Sequence, residues 1–487
     1  MSCLPSGYGS QYLALKYLSA NAKHYKICEW ATKSIQAYND LHIQDYFDYS
    51  GNLSDDNILK VLVELGVSIN YNEPATREQL KRQNFRKIYN NIIATNNLVN
   101  IQNAKGEDFK IVDKDQYEYI MTYSFPCQDL SLAGKGKGMA DTSTRSGMLW
   151  EVERILNELK TTNSLPQILL MENVPQVHGS DNVEHFNKWQ LALENMGYKN
   201  YFQDLIATDY GIPQTRNRCF MVSILGDYSY TFPKPIPLKL KLKDLLEDEV
   251  DEKYYLSDKQ LESLESGSYN ASKPSVKLEI TDKGLCQTLD TMSGGNRQPL
   301  VRVGNKSLQE TLEQNNIDDT CYIDTYNKRI DKEKTGTITT GVSFRNNSFI
   351  AIKNNTKKGY LEATDNGGKD IGVCVGTYQY AKSDKFMNGK DRLQLGKETS
   401  DTLQTSPKEG VCYNDLRIRK LTPRECGRLM NVKDEDINKM LKNQSDSSAY
   451  HCFGDSICTN CLMVIFGELL DINWKQKLEE MLYGNTN

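Results

Sequence analysis

The first 225 or so residues alternate short apolar runs with stretches whose apolar residues recur at helical spacing. That alternation limits the fold more than any other feature, because it is how a parallel sheet with crossover helices appears in sequence. Tyr119 to Phe125 and Ile168 to Met171 read as strands. Between them Met148, Leu149, Val152, Ile155, Leu156 and Leu159 fall on one helical face. One crossover of this kind makes its two strands near neighbours, so their ends are expected side by side. A further strand is expected at Cys219 to Leu225. From about Asp227 the chain becomes rich in Lys, Asn, Thr and Gly, with brief apolar runs and frequent turns, which suits irregular β structure. A short pattern recurs there as Thr288-Leu289-Asp290-Thr291, Thr337-Ile338-Thr339-Thr340 and Thr402-Leu403-Gln404-Thr405, and reads as a repeated hairpin. After about Leu416 the α/β texture returns, with a core helix expected at Cys461 to Leu470. The expected architecture is an α/β core over 1–225, an inserted irregular β-rich domain over 226–415, and a segment 416–487 that completes the core.

Composition narrows the class. At 487 residues and 38% hydrophobic, the chain can bury a full core and has room for two domains. No run reaches the roughly eighteen apolar residues of a membrane span, and Met1-Ser2-Cys3-Leu4-Pro5 lacks the regions of a signal peptide. The expected location is the cytoplasm, where the 12 Cys would be mostly reduced thiols. A formal charge of -5 gives no global attraction to nucleic acid, so any such contact must come from local Lys/Arg clusters.

The segment with most chemical content is Ser124-Phe125-Pro126-Cys127-Gln128-Asp129-Leu130-Ser131, where a strand gives way to a loop. Reactive groups of open parallel sheets gather at such carboxyl ends. Pro126 fixes a backbone angle beside the thiol, and Gly134-Lys135-Gly136-Lys137-Gly138 supplies a basic loop able to fold over a polyanion. A Cys in isolation is more often a buried apolar residue. The neighbouring strand, however, ends in Met171-Glu172-Asn173-Val174. A carboxyl beside a thiol has a purpose if the substrate is cytosine, whose carbon 6 is a poor electrophile until ring nitrogen 3 is protonated or strongly hydrogen-bonded. A protonated Glu172 would provide that bond, and thiolate attack by Cys127 would turn carbon 5 into a nucleophile. A third segment, Gln214-Thr215-Arg216-Asn217-Arg218, reads as a strand start with Gln214, Arg216 and Arg218 on one face, suited to forked contacts with a base oxygen or phosphates. Alone, such a cluster is usually a solvated face.

At the N-terminus Ser6-Gly7-Tyr8-Gly9-Ser10 leads into a helix expected to start near Gln11. A lone glycine pattern is weak evidence. It gains weight from Tyr25-Lys26-Ile27-Cys28-Glu29-Trp30, which offers a strand-end acid for ribose hydroxyls and an indole for adenine. Together they describe a nucleoside-cofactor site.

The ordered set resembles the DNA cytosine-5 methyltransferase family of bacterial or phage type. It consists of Pro126-Cys127-Gln128, Glu172-Asn173-Val174 and Gln214/Arg216/Arg218, then Arg419-Lys420-Leu421-Thr422-Pro423-Arg424-Glu425-Cys426 and Phe453-Gly454-Asp455-Ser456-Ile457. The resemblance covers nearly the whole chain. It implies a Rossmann-like S-adenosylmethionine-dependent methyltransferase domain at 1–225, an inserted target-recognition domain at 226–415, and a closing segment at 416–487. It also implies methylation of carbon 5 of a flipped-out cytosine in double-stranded DNA through a Cys127 adduct. On this reading Cys127 is the nucleophile, Glu172 the group at ring nitrogen 3, Arg218 a contact to the cytosine and Arg216 a phosphate or structural partner. Ser6, Gly7, Tyr8, Gly9, Glu29, Trp30, Asn103, Pro126, Asp455 and Ser456 are expected around S-adenosyl-L-methionine. Gln128, Ser131, Arg145 and Gln214 are expected on DNA, and no metal is expected. The partners implied are double-stranded DNA and a cognate restriction endonuclease encoded nearby, with the enzyme a monomer and no membrane involved.

Three positions depart from the family pattern: Pro5 replaces an aromatic, Asp455 an Asn, and Asn103 an Asp near the adenine. Met1 to Leu4 leave few residues for a strand before the glycine turn, so a shortened first strand and weaker cofactor binding are expected. Three other readings compete. One is a transfer-RNA methyltransferase of the same fold, which the long inserted region disfavours. Another is a DNA-binding relative with decayed catalysis, against which Cys127 and Glu172 speak. The third is a metal-binding module built on Cys452, Cys458 and Cys461, whose single Cys-x-x-Cys pair is weak evidence.

Overall fold

Strands buried on both faces of a parallel sheet need near-continuous apolar runs, and the chain supplies several. A computed structural model describes residues 2–4, 7–125, 149–255, 279–281, 300–303, 321–324 and 417–484. Two units are present. Met1–Leu240 with Pro423–Asn487 make one, and the segment from Lys241 to Thr422, apart from 288–291, makes the other.

The first unit holds a six-stranded sheet of β1 (Ser2–Leu4), β2 (Lys26–Ile27), β3 (Ile120–Ser124), β4 (Ile168–Asn173), β5 (Tyr198–Ile206) and β6 (Asn217–Leu225). The spatial order is β2-β1-β3-β4-β6-β5. The first four strands are mutually parallel, and β6 runs antiparallel to both β4 and β5. The first strand is central: Ser2, Cys3 and Leu4 pair with Met121, Thr122 and Tyr123, while Ser2 and Cys3 also pair with Lys26 and Ile27. Strand order reverses at β1, which places the crevice for a ligand beyond the carboxyl ends of β1 and β3.

The expected crossover helix is Leu149–Thr161, and β3 and β4 are direct neighbours. Leu149, Val152, Ile155, Leu156 and Leu159 are buried along one side of that helix. Burying each such side chain is worth roughly 1.5–3 kcal/mol. On the outer side Arg154 bonds Glu151 and Glu158, three and four residues away, and reaches the carbonyls of Ile101 and Ala104. Beneath the sheet Trp189 is fully buried and donates its indole N–H to Tyr123 Oη at 3.0 Å.

Two parts of this unit were not read from the sequence. One is β5, which pairs with β6 over its whole length. The other is a helical insertion between β2 and β3, with helices Thr32–Tyr38, Asp55–Leu65, Arg77–Lys81 and Phe85–Ala94. It has its own small core, including Ile35, Ile58, Leu59, Leu62, Leu80 and Ile92. Ser54 caps its second helix by accepting the Asn57 N–H, and Thr76 with Gln79 forms a reciprocal cap on the third.

The chain returns to this unit with helices Pro423–Leu429, Asp434–Leu441, Asp446–Asp455, Thr459–Leu469 and Trp474–Tyr483. Thr459–Leu469 is the expected core helix, buried from Thr459 to Gly467 and packed on the first helix, Ser10–Tyr17. The stretch Asp446–Leu469 is long and apolar enough to cross a membrane by composition, but its apolar 18-residue window is 83% buried inside the protein, as a core helix would be.

The second unit contains an antiparallel four-stranded sheet of β7 (Glu279–Thr281), β8 (Leu300–Val303), β9 (Cys321–Asp324) and β10 (Arg417–Lys420), in the order β10-β8-β9-β7. The three Thr-rich repeats lie outside the described residues.

Candidate active site

Strand register brings the first two motifs together. Ser124 is paired directly with Glu172, and Asn173 donates its side-chain N–H to the Phe125 carbonyl at 3.1 Å. The backbone that leads into Pro126-Cys127 is therefore tied to the end of β4. Cys127 itself, with Pro126, Gln128, Ser131 and Arg145, lies outside the described residues, as do Pro5 and Ser6.

Glu172 is buried, and its Oε1 lies 3.1 Å from Arg218 Nε. Burial pushes the Glu172 carboxyl pKa upward, while Arg218 and Arg216 pull it back. The net shift is upward, so the carboxyl keeps a proton to higher pH than an ordinary carboxylate does while a cation holds it in place. The expectation that Gln214, Arg216 and Arg218 share one strand face is not met. Strand β6 begins at Asn217, so only Arg218 is on it, and the other two turn inward. Gln214 is fully buried and donates to the Leu429 carbonyl at 2.7 Å, so it binds the returning segment and presents no surface to DNA. Arg216 is also buried and donates to the Ser456 carbonyl at 2.6 Å.

The glycine turn is held by Glu29. Its Oε2 accepts the Gly7 N–H at 3.0 Å and its Oε1 the Ala31 N–H at 2.9 Å. Gly7 has φ +51°, and a Cβ there would meet Ser456 Oγ at 3.0 Å. Ser456 Oγ is buried, and no described residue bonds to it. Gly7, Glu29 and Ser456, distant in sequence, thus meet at the carboxyl end of β1. Gly9 has φ +81°, and a Cβ there would fall 2.5 Å from the Tyr38 ring and 2.6 Å from His42 Nε2. Only glycine fits. Trp30 is half-buried, with one side packed on the helical insertion's core. Asp455 is exposed at the end of its helix, within electrostatic reach of Glu172.

Two of the expected residues are placed differently. The Tyr8 side chain is fully buried and packs edge-on against Phe453 with centroids 5.7 Å apart, so it is a core group rather than a lining one. Asn103 is exposed in a turn and points to the Glu64 carbonyl. The asparagine beside Glu29 is Asn97. It accepts the Glu29 N–H at 3.0 Å and donates to the Glu29 carbonyl at 2.9 Å. It also forms a parallel bridge with Ile27 at the end of β2.

Sequence reasoning missed other supports as well. His42 sits in a π-helical turn, Asn39–Ile43, with Nε2 2.9 Å from the Tyr8 carbonyl; a carbonyl only accepts, so that nitrogen carries the proton. Burial holds the pKa of this imidazole well below its ordinary value, so the ring is neutral. Tyr71, with φ +65°, stacks on His451 at 3.6 Å. Its loop is joined to the Trp30 strand end by the Ser68 N–H to Trp30 carbonyl bond. Neither signal stands out in the sequence, because single His and Tyr residues in loops carry no periodicity. Cys452, Cys458 and Cys461 are buried free thiols.

A glycine turn at a central parallel strand, an acid just beyond the next strand and a buried carboxyl at the end of β4 gather at the carboxyl ends of an α/β sheet, where enzymes of this fold class hold their ligands. Residues 75–471 match the model of the C-5 cytosine-specific DNA methylases. The chain belongs to that family and is a DNA cytosine-5 methyltransferase. It is 37% identical over 266 residues to the Type II methyltransferase M2.ScrFI of Lactococcus lactis subsp. cremoris, which covers 53% of this chain and 69% of that protein. It is 34% identical over 264 residues to the orphan methyltransferase M.SssI of Spiroplasma monobiae, covering 52% and 66%. Among solved structures, the S. pombe Dnmt2 methyltransferase shares the fold with a TM-score of 0.50 at 15% identity, over 96% of this chain and 97% of that one.

Proposed function

We propose that the methyl donor is S-adenosylmethionine, that Cys127 is the nucleophile, and that the inserted unit reads the target sequence in double-stranded DNA. The observation that carries the catalytic part is the pairing of Ser124 with Glu172, together with the Asn173 bond to the Phe125 carbonyl. These ties leave Cys127 two residues beyond a backbone position fixed next to Glu172.

The donor's nucleoside fits the residues at the β1 end. Gly7 leaves room beside Ser456 Oγ, a buried hydroxyl still able to bond, and Glu29 presents a carboxylate at a strand end where ribose hydroxyls are commonly held. Trp30 supplies a partly open aromatic face. When bound, the donor supplies an electrophilic methyl on sulfonium. The chain's own residues do the rest. The flipped base receives a hydrogen bond at ring nitrogen 3 from protonated Glu172, and Arg218 orients both groups. Cys127 sulfur bonds to carbon 6, which makes carbon 5 the nucleophile toward the methyl group. Loss of the carbon 5 proton and departure of the sulfur then restore the ring and the free thiol. Arg216 fastens the Ser456 backbone, which ties the nucleoside side to the base side.

We further propose that the enzyme acts as a monomer in the cytoplasm with a cognate restriction endonuclease as partner; M2.ScrFI carries a Type II designation, whereas M.SssI is an orphan. The test uses duplex DNA carrying 5-fluorocytosine at the target, found first by bisulfite sequencing of DNA from expressing cells. Wild-type protein is expected to form a covalent adduct that maps to Cys127, and Cys127→Ser to form none while still binding duplex. An adduct at another cysteine overturns the assignment.

A further inference from the structure

Beside the base side, on the other face of the sheet, three metal-ligating side chains of different chemistry converge. Residues directly opposed across an antiparallel pair project to the same face. Cys219 in β6 is opposed by Asn173 in β4 and by Asp204 in β5. Glu172 is opposed by Phe220, so it shares the other face with Arg218. His178 ends a short 3-10 turn, Pro175–His178, that directly follows the Glu172-Asn173-Val174 motif, and brings its imidazole to the Cys219 face. Its Nε2 is 2.9 Å from Asp204 Oδ1, and the imidazole, carboxylate and thiol ligand atoms all lie within 4.8 Å of one another. Cys219 is fully buried, whereas the His178 and Asp204 side chains each keep 31% of their surface. The cluster is closed on its sheet side and open to solvent on the other.

We propose that His178, Asp204 and Cys219 bind a divalent ion of the zinc class, with water as the fourth ligand. Ligand chemistry selects this class: magnesium and calcium take oxygen donors, whereas imidazole with thiolate suits zinc and its neighbours. Zinc bonds of about 2.0–2.3 Å in tetrahedral geometry put donor atoms roughly 3.3–3.8 Å apart, within small side-chain adjustments of the spacing here. The hydrogen-bonded contact between His178 and Asp204 needs no thiol, and the third group is what turns the pair into a ligand set. On binding, Cys219 forms the sulfur–metal bond and releases its proton to water. His178 ligates through Nε2 with its proton on Nδ1, and Asp204 exchanges its imidazole hydrogen bond for the metal. The ion is a clamp. It joins the turn that follows the Glu172 motif to both antiparallel strands, and it takes no part in methyl transfer.

The test is a titration of chelator-treated full-length protein with zinc and, separately, cobalt, in a Cys127→Ser background so that the nucleophile does not compete. One equivalent is expected to bind, with a thiolate-to-cobalt charge-transfer band that Cys219→Ala abolishes. His178→Ala alters a half-exposed side chain and is expected to weaken affinity by at least about tenfold, since even outer partners of a metal ligand are worth that much. Zinc should raise the unfolding temperature of the background protein and not that of His178→Ala. If no ion binds, or if His178→Ala and Asp204→Asn bind it as tightly as the background protein, the proposal is overturned. If Cys219→Ala does not fold, the His178→Ala result decides alone.

Discussion

On the base side of the site, Glu172 and Arg218 are an acid with a raised pKa and a cation, held largely out of water against each other. On the nucleoside side, a left-handed glycine turn, main-chain amides and the Glu29 carboxylate fix the geometry. A buried acid held against a cation is intolerant of losing one member, because the other is left without its partner in a poor solvent for charge. A main-chain cradle tolerates most side-chain changes and fails chiefly where a Cβ will not fit.

The largest effect should come from Glu172→Gln. The amide keeps the shape but cannot deliver a proton, so single-turnover methylation should slow by at least about a hundredfold. The pH dependence follows from the same burial. The Glu172 carboxyl pKa is raised, so the protonated form persists above the ordinary carboxylate range and is lost as pH climbs through the raised value. The wild-type chemical step should therefore fall with rising pH across that interval, and the Gln variant should not. A Gln variant with the wild-type rate, or with the same pH profile, would remove Glu172 from the chemistry.

Next in size is Gly9→Ala, which strikes the cradle. The new methyl would lie 2.5 Å from the Tyr38 ring at a backbone angle of +81°, so the turn must shift. A cost of about 1–3 kcal/mol is expected. It should appear as a higher dissociation constant for S-adenosylmethionine by calorimetry and a lower unfolding temperature, with the rate at saturating cofactor close to wild type. If the saturated rate falls as far as it does for Glu172→Gln, the two sides are not separable in the way described.

What the sequence disclosed follows the same division. Strands β3, β4 and β6 and the helix Leu149–Thr161 were legible because burial on both sheet faces, or on one helix face, writes a periodic apolar pattern. The edge strand β5 was not. Its run Tyr198-Lys199-Asn200-Tyr201-Phe202-Gln203-Asp204-Leu205-Ile206 mixes exposed polar and aromatic groups, and its β geometry comes from pairing with β6. The helical insertion was passed over because its apolar residues fill a small separate core. Glu172 and Arg218, singled out by their chemistry, lie against each other, whereas Gln214 and Arg216 were given a strand face they do not occupy. The true strand start, Asn217, depends on pairing with Ile206, which no local pattern records.

The smallest effects test the one substitution of position on the nucleoside side. A sequence position alone pointed to Asn103 as the polar group near the adenine, but Asn97 is the residue locked to Glu29. Asn97 Oδ1 accepts the N–H groups of both Glu29 and Val99, and its amide nitrogen donates to the Glu29 carbonyl, so it sets the direction in which the strand-end acid leaves β2. Removing it leaves two buried N–H groups and one carbonyl without their partner. At a net value of about 1 kcal/mol per hydrogen bond, Asn97→Ala should weaken cofactor binding by roughly fivefold or more. Asn103→Ala removes an exposed side chain whose hydrogen bond among the described residues, to the Glu64 carbonyl, is 3.5 Å long. Its dissociation constant should stay within about twofold of wild type, the range of an exposed substitution away from such features. Calorimetry on the two variants gives the order. If Asn103→Ala weakens binding more than Asn97→Ala does, the turn at 101–103 approaches the cofactor in a way this geometry does not contain, and the main-chain cradle would have to be redrawn around it.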